Sequence, residues 1–333
     1  MKTAFVTGAA GFIGYHLCMR LLAEGWQVIG FDSMNAYYDV HLKEARLAQL
    51  TGQPGFVSEI ALLEERGLLT ELFARHKPQV VIHMAGQAGV RHSIDAPREY
   101  VDANLVGWVE LLEAARAHRP EHVLMASSSS VYGANTDVPY GERDKADQQM
   151  SFYAATKKAG ENMAHSYAHL YAIPITLFRF FTVYGPWGRP DMAHFKFTRA
   201  ILQGAPIDVY NHGRMQRDFT YIDDLLAGIL GLVPKAPGDT PVSAHDSLSP
   251  VAPHRVVNIG SNAPVALMDF IAAIETACGR TAEKHMHPMQ PGDVPSTWAD
   301  TRLLHDLMGP LPQTALADGV QAFVDWYRAY YRV

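Results

Sequence analysis

The chain has 333 residues, 48% of them hydrophobic and 19% charged, with a formal net charge of −6. That is the composition of a globular protein with a sizeable core, and mild acidity without any Lys/Arg cluster argues against a dedicated nucleic-acid binder. Cys18 and Cys278 each sit alone in an apolar helical pattern, so they read as small buried hydrophobes, not metal or redox groups, and fit a reducing cytoplasm.

The first half alternates short β-rich runs with longer helical patterns. TAFVTG at 3–8 is followed by a helix over 12–24, QVIGFD at 27–32 by a weak strand near 55–60 and a helix over 64–75. VVIHMAG at 80–86 precedes a helix over 97–117, and HVLMASS at 122–128 precedes a helix over 152–171. Strands alternating with crossover helices predict an α/β fold with a doubly wound parallel sheet of Rossmann type. ITLFRFF at 175–181, apolar but for Thr176 and Arg179, reads as a central strand. Ligands of such sheets bind outside the carboxyl ends of the strands, which is where the loop TVYGPWGRP at 182–190 would lie.

The second half is less regular, with helices expected near 194–203, 223–233, 266–278 and 314–331 and short strands near 207–210 and 256–259. The Pro-, Ser- and Asp-rich stretch 234–253 reads as a surface excursion. Residues 1–180 are therefore expected to form mainly the Rossmann domain. Residues 181–333 would form mainly a smaller α/β cap over the crevice, with some elements returning to the sheet. No run of about 18 apolar residues and no cleavable leader pattern occurs, so neither membrane spanning nor secretion is expected.

TGAAGFIG at 7–14 places Gly8, Gly11 and Gly14 between the first strand and the first helix. Glycines there permit a tight turn and close backbone approach to a pyrophosphate, which the helix N-terminus attracts. The next strand ends in Asp32, where a carboxylate would accept from a ribose 2′-hydroxyl and repel a 2′-phosphate, so NAD is expected in preference to NADP.

Tyr153 and Lys157 stand at i, i+4 on one helical face, opposite Ser127, Ser128 and Ser129 at a strand end. The chemistry that set suits is removal of a hydroxyl proton as a hydride leaves the same carbon for NAD. An ordinary phenol has a pKa near 10, and bringing it to 7 takes about 4 kcal/mol of differential stabilisation. Lys157 together with the positive nicotinamide is expected to supply it, with Ser128 holding the reacting oxygen.

With those motifs in place, the sequence resembles the extended short-chain dehydrogenases/reductases that act on nucleotide sugars. NAYYDVHLKEARL at 35–47, AGQAGVRHSID at 85–95, YAATKKAGE at 153–161, FRFFTVYGPWGRPDMA at 178–193 and RDFTYIDD at 217–224 narrow the resemblance to the UDP-glucuronate 4-epimerases. The resemblance implies a catalytic set of Ser128, Tyr153 and Lys157, and NAD held through the cycle by Gly8, Gly11, Phe12, Ile13, Gly14, Asp32, Lys43, Tyr153 and Lys157. It implies substrate contacts from Gln87, Gly89, Val90 and Arg91, from Ser129, Ser130 and Thr182 to the sugar carboxylate, from Arg189 closing over the sugar, and from Arg217 to the UDP diphosphate. No metal is implied, a homodimer through helices 97–117 and 152–171 is, and Glu59 stands where relatives often place an adenine-binding aspartate.

Oxidation at C4 of UDP-glucuronate gives a β-keto acid that loses CO₂ when its carboxylate turns perpendicular to the ketone. Short hydroxyl donors would fix that group, hydrogen bonds to an ion being roughly twice as strong as neutral ones. Dehydratases of the superfamily carry an acidic pair after the catalytic hydroxyl residue, and decarboxylases a glutamate before Val-Tyr-Gly; here those places hold Ser129 and Ser130. Three other readings stay open at this point: a 4-epimerase of neutral UDP-hexoses, a UDP-glucuronate decarboxylase, and a non-catalytic NAD(H) sensor.

Overall fold

Residues 2–290 and 293–333 are described by a computed structural model of the chain. The apolar runs of the first half form β1 (Thr3–Thr7), β2 (Gln27–Asp32), β3 (Phe56–Ile60), β4 (Val80–His83), β5 (His122–Ala126) and β6 (Ile175–Phe180). Every residue of β1, β4, β5 and β6 is buried, because helices cover both faces of the sheet. The later strands are β7 (Thr182–Tyr184), β8 (Ile207–Val209), β9 (Gln216–Tyr221), β10 (His254–Ile259), β11 (Pro264–Ala266), β12 (Lys284–Met286) and β13 (Ser296–Thr297).

β10 pairs in parallel with β6, giving a seven-stranded parallel sheet in the order β10-β6-β5-β4-β1-β2-β3. The fold is thus the expected doubly wound sheet, and its order reverses between β1 and β4, which opens a crevice at the strands' carboxyl ends. β7, β11 and β13 pair with β9 to form a second small sheet, and β8 pairs with β12.

One face of the main sheet is packed by helices Phe12–Ala23, Ile222–Leu232 and Arg302–Met308, which contribute Leu17, Leu21, Leu225, Ile229 and Leu304. The other is packed by Leu68–His76, Gly107–His118 and Phe152–Tyr171, which contribute Phe73, Trp108, Leu112 and Ala164. A separate core around Phe195, Phe270 and Phe323 supports β9, where Phe219 stacks on Phe270 with ring centres 3.9 Å apart.

Four local features depart from the expectations. A helix, Val40–Thr51, connects β2 to β3; its inward side carries Leu42, Lys43, Arg46 and Leu50, so two cations interrupt the apolar period that would have revealed it. The helix expected over 64–75 starts at Leu68, because Gly67 is left-handed with φ +78°. The helix expected over 97–117 is three pieces, Pro97–Val101, a π-helical turn Asp102–Val106 and Gly107–His118. The excursion 234–253 is anchored from inside: fully buried Asp246 accepts from Arg255 Nε and Nη2 at 2.8 and 2.9 Å and from the N–H groups of Val242 and Leu248. Among the described residues no helix is long and apolar enough to cross a membrane.

Candidate active site

A cavity of about 740 Å³ runs along the carboxyl ends of β1, β2, β4 and β5 to the loop after β7. Gly8, Gly11, Phe12, Ile13 and Gly14 form one wall, and Asp32 and Lys43 a second. Gly8 has φ +71°, and a Cβ there would lie 2.9 Å from the Ala85 nitrogen; a Cβ on Gly14 would lie 2.0 Å from the Gly8 carbonyl oxygen. Helix Phe12–Ala23 begins at Gly11 with no side-chain cap, so its first N–H groups are left for an anion. Asp32 Oδ2 accepts from the Ala10 N–H at 3.0 Å and Oδ1 from the Met34 N–H at 2.8 Å, which aims the carboxylate and leaves lone pairs for a ribose diol. These features fit the diphosphate and adenine ribose of NAD. Lys43 Nζ donates to the Asn35 carbonyl and side-chain oxygens, each at 2.7 Å, and holds the loop that closes this end.

The adenine expectation for Glu59 does not hold. Its carboxylate accepts from His76 Nε2 at 3.1 Å and Arg75 Nη1 at 3.4 Å, and the cavity beside β3 is lined by Leu62, Leu63 and Glu64 instead.

Ser128 and Tyr153 both line the cavity. Ser128 leaves β5 extended and caps the short 3₁₀ turn Ser129–Tyr132, its Oγ accepting from the Ser130 N–H at 3.2 Å. Tyr153 is the second residue of helix Phe152–Tyr171, which Ser151 caps by accepting from the Ala154 N–H at 3.1 Å. Burial pushes the Tyr153 phenol above its ordinary value, while a hydrogen bond with Ser128 and the charge of Arg189 pull it back. Lys157 lies one turn further on, buried under Gly86, with Nζ donating to the Ala126 carbonyl at 2.9 Å and set 5.5 Å from the Trp108 ring centre. Burial lowers it to about 8. Burial thus moves the two groups in opposite directions, the Tyr153 phenol up and the Lys157 ammonium down.

On the sugar side, Gln87 and Arg189 line the cavity. Arg189 grips Asp191 with two prongs, Nε to Oδ1 at 3.0 Å and Nη2 to Oδ2 at 2.5 Å, and Tyr37 donates to the same carboxylate at 3.3 Å. Ser129 and Ser130 follow Ser128 on the 3₁₀ turn, and Thr182 opens β7 opposite Phe219 of β9, all three half-buried and outside the cavity lining. Gly89, Val90, Arg91 and Arg217 lie outside that lining. Arg91 faces the Tyr210 ring, 5.2 Å from its centre, and Asp293 at 3.9 Å, while Arg217 Nη1 donates to the Gln216 and Pro295 carbonyls at 2.8 and 3.2 Å.

Asn104 carries no signal legible in the sequence. It sits in the π-helical turn, fully buried, accepting from the Gln87 N–H at 2.8 Å and donating to the Gln87 carbonyl and Thr156 Oγ1 at 3.0 and 3.1 Å. It thereby fastens the sugar-side loop to the helix of Tyr153, and the extra residue of a π turn is the sort of interruption that marks functional sites. Tyr100 supports the same loop, its hydroxyl 2.8 Å from the Ala88 carbonyl.

The chain is similar to known proteins along nearly its whole length. The chain is 54% identical over 331 residues to a probable UDP-glucuronate 4-epimerase of Rhizobium meliloti, covering 98% of this chain and 97% of that one. It is 46% identical to UDP-glucuronate 4-epimerase 4 of Arabidopsis thaliana, covering 99% of this chain and 76% of that one. The crystal structure of a UDP-glucuronic acid 4-epimerase from Bacillus cereus, in complex with UDP-glucuronic acid and NAD, superposes with a TM-score of 0.89 at 31% identity, covering 99% and 100% of the two chains. Residues 4–243 match the NAD dependent epimerase/dehydratase family, and the chain belongs to that family.

Proposed function

We propose that the chain is an isomerase that interconverts UDP-glucuronate and UDP-galacturonate by inverting C4 through a transient 4-keto sugar, with NAD retained through the cycle. The observation that carries the reading is the meeting of Ser128, Tyr153 and Arg189 in the one cavity that also holds the glycine loop and Asp32. The identity to named UDP-glucuronate 4-epimerases supports the choice of substrate.

NAD, when bound, takes up the C4 hydrogen with its electron pair and returns it. Tyr153 as phenolate removes the proton of the 4-hydroxyl, and Ser128 donates to that oxygen as it becomes a carbonyl. Ser129, Ser130 and Thr182 hold the C6 carboxylate near the ketone plane, where the C5–C6 bond overlaps poorly with the carbonyl and CO₂ is retained. Arg189 closes over the sugar already balanced by Asp191, so it adds little net charge beside the keto acid. After the keto sugar turns, Tyr153 returns the proton while the other face of C4 is reduced. Gln87, Gly89, Val90 and Arg91 shape the sugar pocket, and Arg217 binds the UDP diphosphate.

The same proposal divides the chain into a mainly NAD-binding part, residues 1–180, and a mainly UDP-sugar-binding part, residues 181–333. It also makes the protein a cytoplasmic homodimer. Val106 and Val109, 41% and 37% exposed, leave an apolar strip on the helical segments between 102 and 118 for a second copy. Light scattering at micromolar concentration should return twice the chain mass; a persistent monomer removes the dimer from the proposal.

The test of the reaction is incubation of purified protein with UDP-glucuronate and no added NAD, followed by proton NMR of the sugar. UDP-galacturonate is the expected product. No conversion, or a UDP-pentose, overturns the reading.

A further inference from the structure

Three consecutive carbonyls of the loop that carries Arg189 are held by side chains from the dinucleotide half of the protein. His16, on the helix that follows the glycine loop, has Nε2 at 2.9 Å from the Pro186 carbonyl; a carbonyl only accepts, so Nε2 carries the proton. Arg46 Nη2 donates to the Trp187 carbonyl at 2.6 Å and the Gly188 carbonyl at 3.3 Å. With its other arm, Nη1, Arg46 donates to the Ala10 carbonyl inside the glycine loop at 3.0 Å and to the Tyr38 hydroxyl at 2.8 Å. One guanidinium therefore spans the loop expected to hold the dinucleotide diphosphate and the loop expected to close over the sugar.

Two further observations give that span a purpose. Trp187 is held at φ +61°, a left-handed conformation that is costly for an aromatic residue and persists only where surrounding contacts over-determine it. Arg46 is fully buried, its Nε has no partner, and among the described residues no carboxylate lies within ion-pair distance of it. A buried guanidinium surrounded by neutral acceptors lacks an anion, and the anion that belongs beside Ala10 is the diphosphate on the glycine loop.

We infer that Arg46, assisted by His16, is the positioning residue that sets the 186–189 loop from the glycine loop, so that NAD occupancy and recognition of the sugar are energetically coupled. The inference rests on the reaction proposed above. Coupling of this kind is reciprocal in binding free energy: the bound dinucleotide favours the loop position that receives the acidic sugar, and the acidic sugar favours retention of the dinucleotide. Arg46 touches neither reacting atom; it acts through Ala10, Trp187 and Gly188.

The test compares wild type with Arg46→Lys, Arg46→Gln and His16→Ala. The readouts are NAD content as purified, kcat and KM for UDP-glucuronate with saturating NAD, and the calorimetric Kd for UDP, which lacks the sugar. Arg46→Lys keeps the charge and loses the two-armed span, so NAD is retained and KM rises about tenfold with kcat and UDP affinity unchanged. Arg46→Gln loses bound NAD as well, and His16→Ala raises KM in the same direction by a smaller factor. An unchanged KM in Arg46→Lys and His16→Ala, or full NAD content in Arg46→Gln, overturns the inference. Should the Arg46 variants not fold, His16→Ala decides alone, an unchanged KM again overturning it. Wild type that turns over UDP-glucuronate while the variants match it sinks only this inference, whereas inactive wild type sinks the proposed reaction.

Discussion

Glu161 and Arg179 meet inside the protein as a two-pronged ion pair, Nε to Oε1 and Nη2 to Oε2 both at 2.8 Å, each side chain 3% exposed. Ser127 donates to the same carboxylate at 2.7 Å. The pair bolts the helix that carries Tyr153 and Lys157 to β6, and through Ser127 to the end of β5 where Ser128 begins. It explains a charged residue in the middle of an apolar strand, and it gives Ser127 a supporting place beside Ser128.

Breaking this pair from one side leaves Arg179 with no carboxylate, or Glu161 with Lys158 at 3.1 Å as its remaining cation. Burial alone would raise the Glu161 carboxyl, but Arg179 and its hydrogen bonds hold it down to about 2. Glu161→Ala or Arg179→Ala is expected to lose about 3–5 kcal/mol of stability, and the joint replacement Glu161→Leu with Arg179→Met much less. Urea unfolding of the three variants measures this; equal losses in single and joint variants would refute the account.

Tyr153→Phe removes the only proposed proton acceptor and keeps the ring. The turnover rate should fall by about 10²–10⁴-fold while bound NAD and the urea midpoint stay at wild-type values. NMR turnover together with release of NAD on denaturation checks both halves.

The carboxylate restraint is tested by Thr182→Val and Ser129→Ala, which remove hydroxyls without changing volume greatly. Both should shift the product mixture toward a UDP-pentose species and CO₂ while total consumption of UDP-glucuronate continues. Product partition, read by NMR, is the measurement; slower turnover with no pentose would mean these hydroxyls bind the sugar without protecting it.

Acid should unfold the protein well above the carboxylate range. Burial holds His83, His122, His194 and His254 down to about 3, 4, 3 and 4, whereas burial pushes Glu142 up to about 7. Each depressed histidine stays neutral in the fold but protonates in the unfolded chain below about pH 6.5, so its contribution is complete above that pH and is lost as pH falls toward 4. Glu142, proton-bound in the fold and ionised in the unfolded chain over the same window, offsets one of the four. The stability should therefore drop at a slope approaching about 4 kcal/mol per pH unit near pH 5. Urea titrations at pH 7, 6 and 5 test this, and a flat profile would contradict it.

The main architecture was legible because its signals are local. Strands buried on both faces read as apolar runs, crossover helices as periodic ones, and the spacing of Gly8, Gly11, Gly14 and Asp32 follows from the turn a dinucleotide loop must make. Helix Val40–Thr51 was illegible for the opposite reason, since two cations occupy its inward face, Lys43 for Asn35 of the preceding loop and Arg46 for Ala10, Trp187 and Gly188 far along the chain. The π turn at Asn104 was equally silent: its one extra residue serves Gln87 and Thr156, seventeen positions before and fifty-two after.

What the sequence determined by itself was the parallel doubly wound sheet and the Gly8/Gly11/Gly14 loop, carried by local apolar runs and a short fixed spacing, while Ser128, Tyr153 and Lys157 stood in it as an expectation. Only the tertiary structure decided the electrostatics. Glu59 pairs with His76 and leaves the cavity to Glu64, Arg189 meets Asp191, Lys157 donates to Ala126, and Arg46 joins Ala10 to Trp187, two loops far apart in the chain. Hydrogen bonds and charges act over a few ångströms in space regardless of separation along the chain, so which partner each ion takes is settled only when the sheet and its loops are assembled.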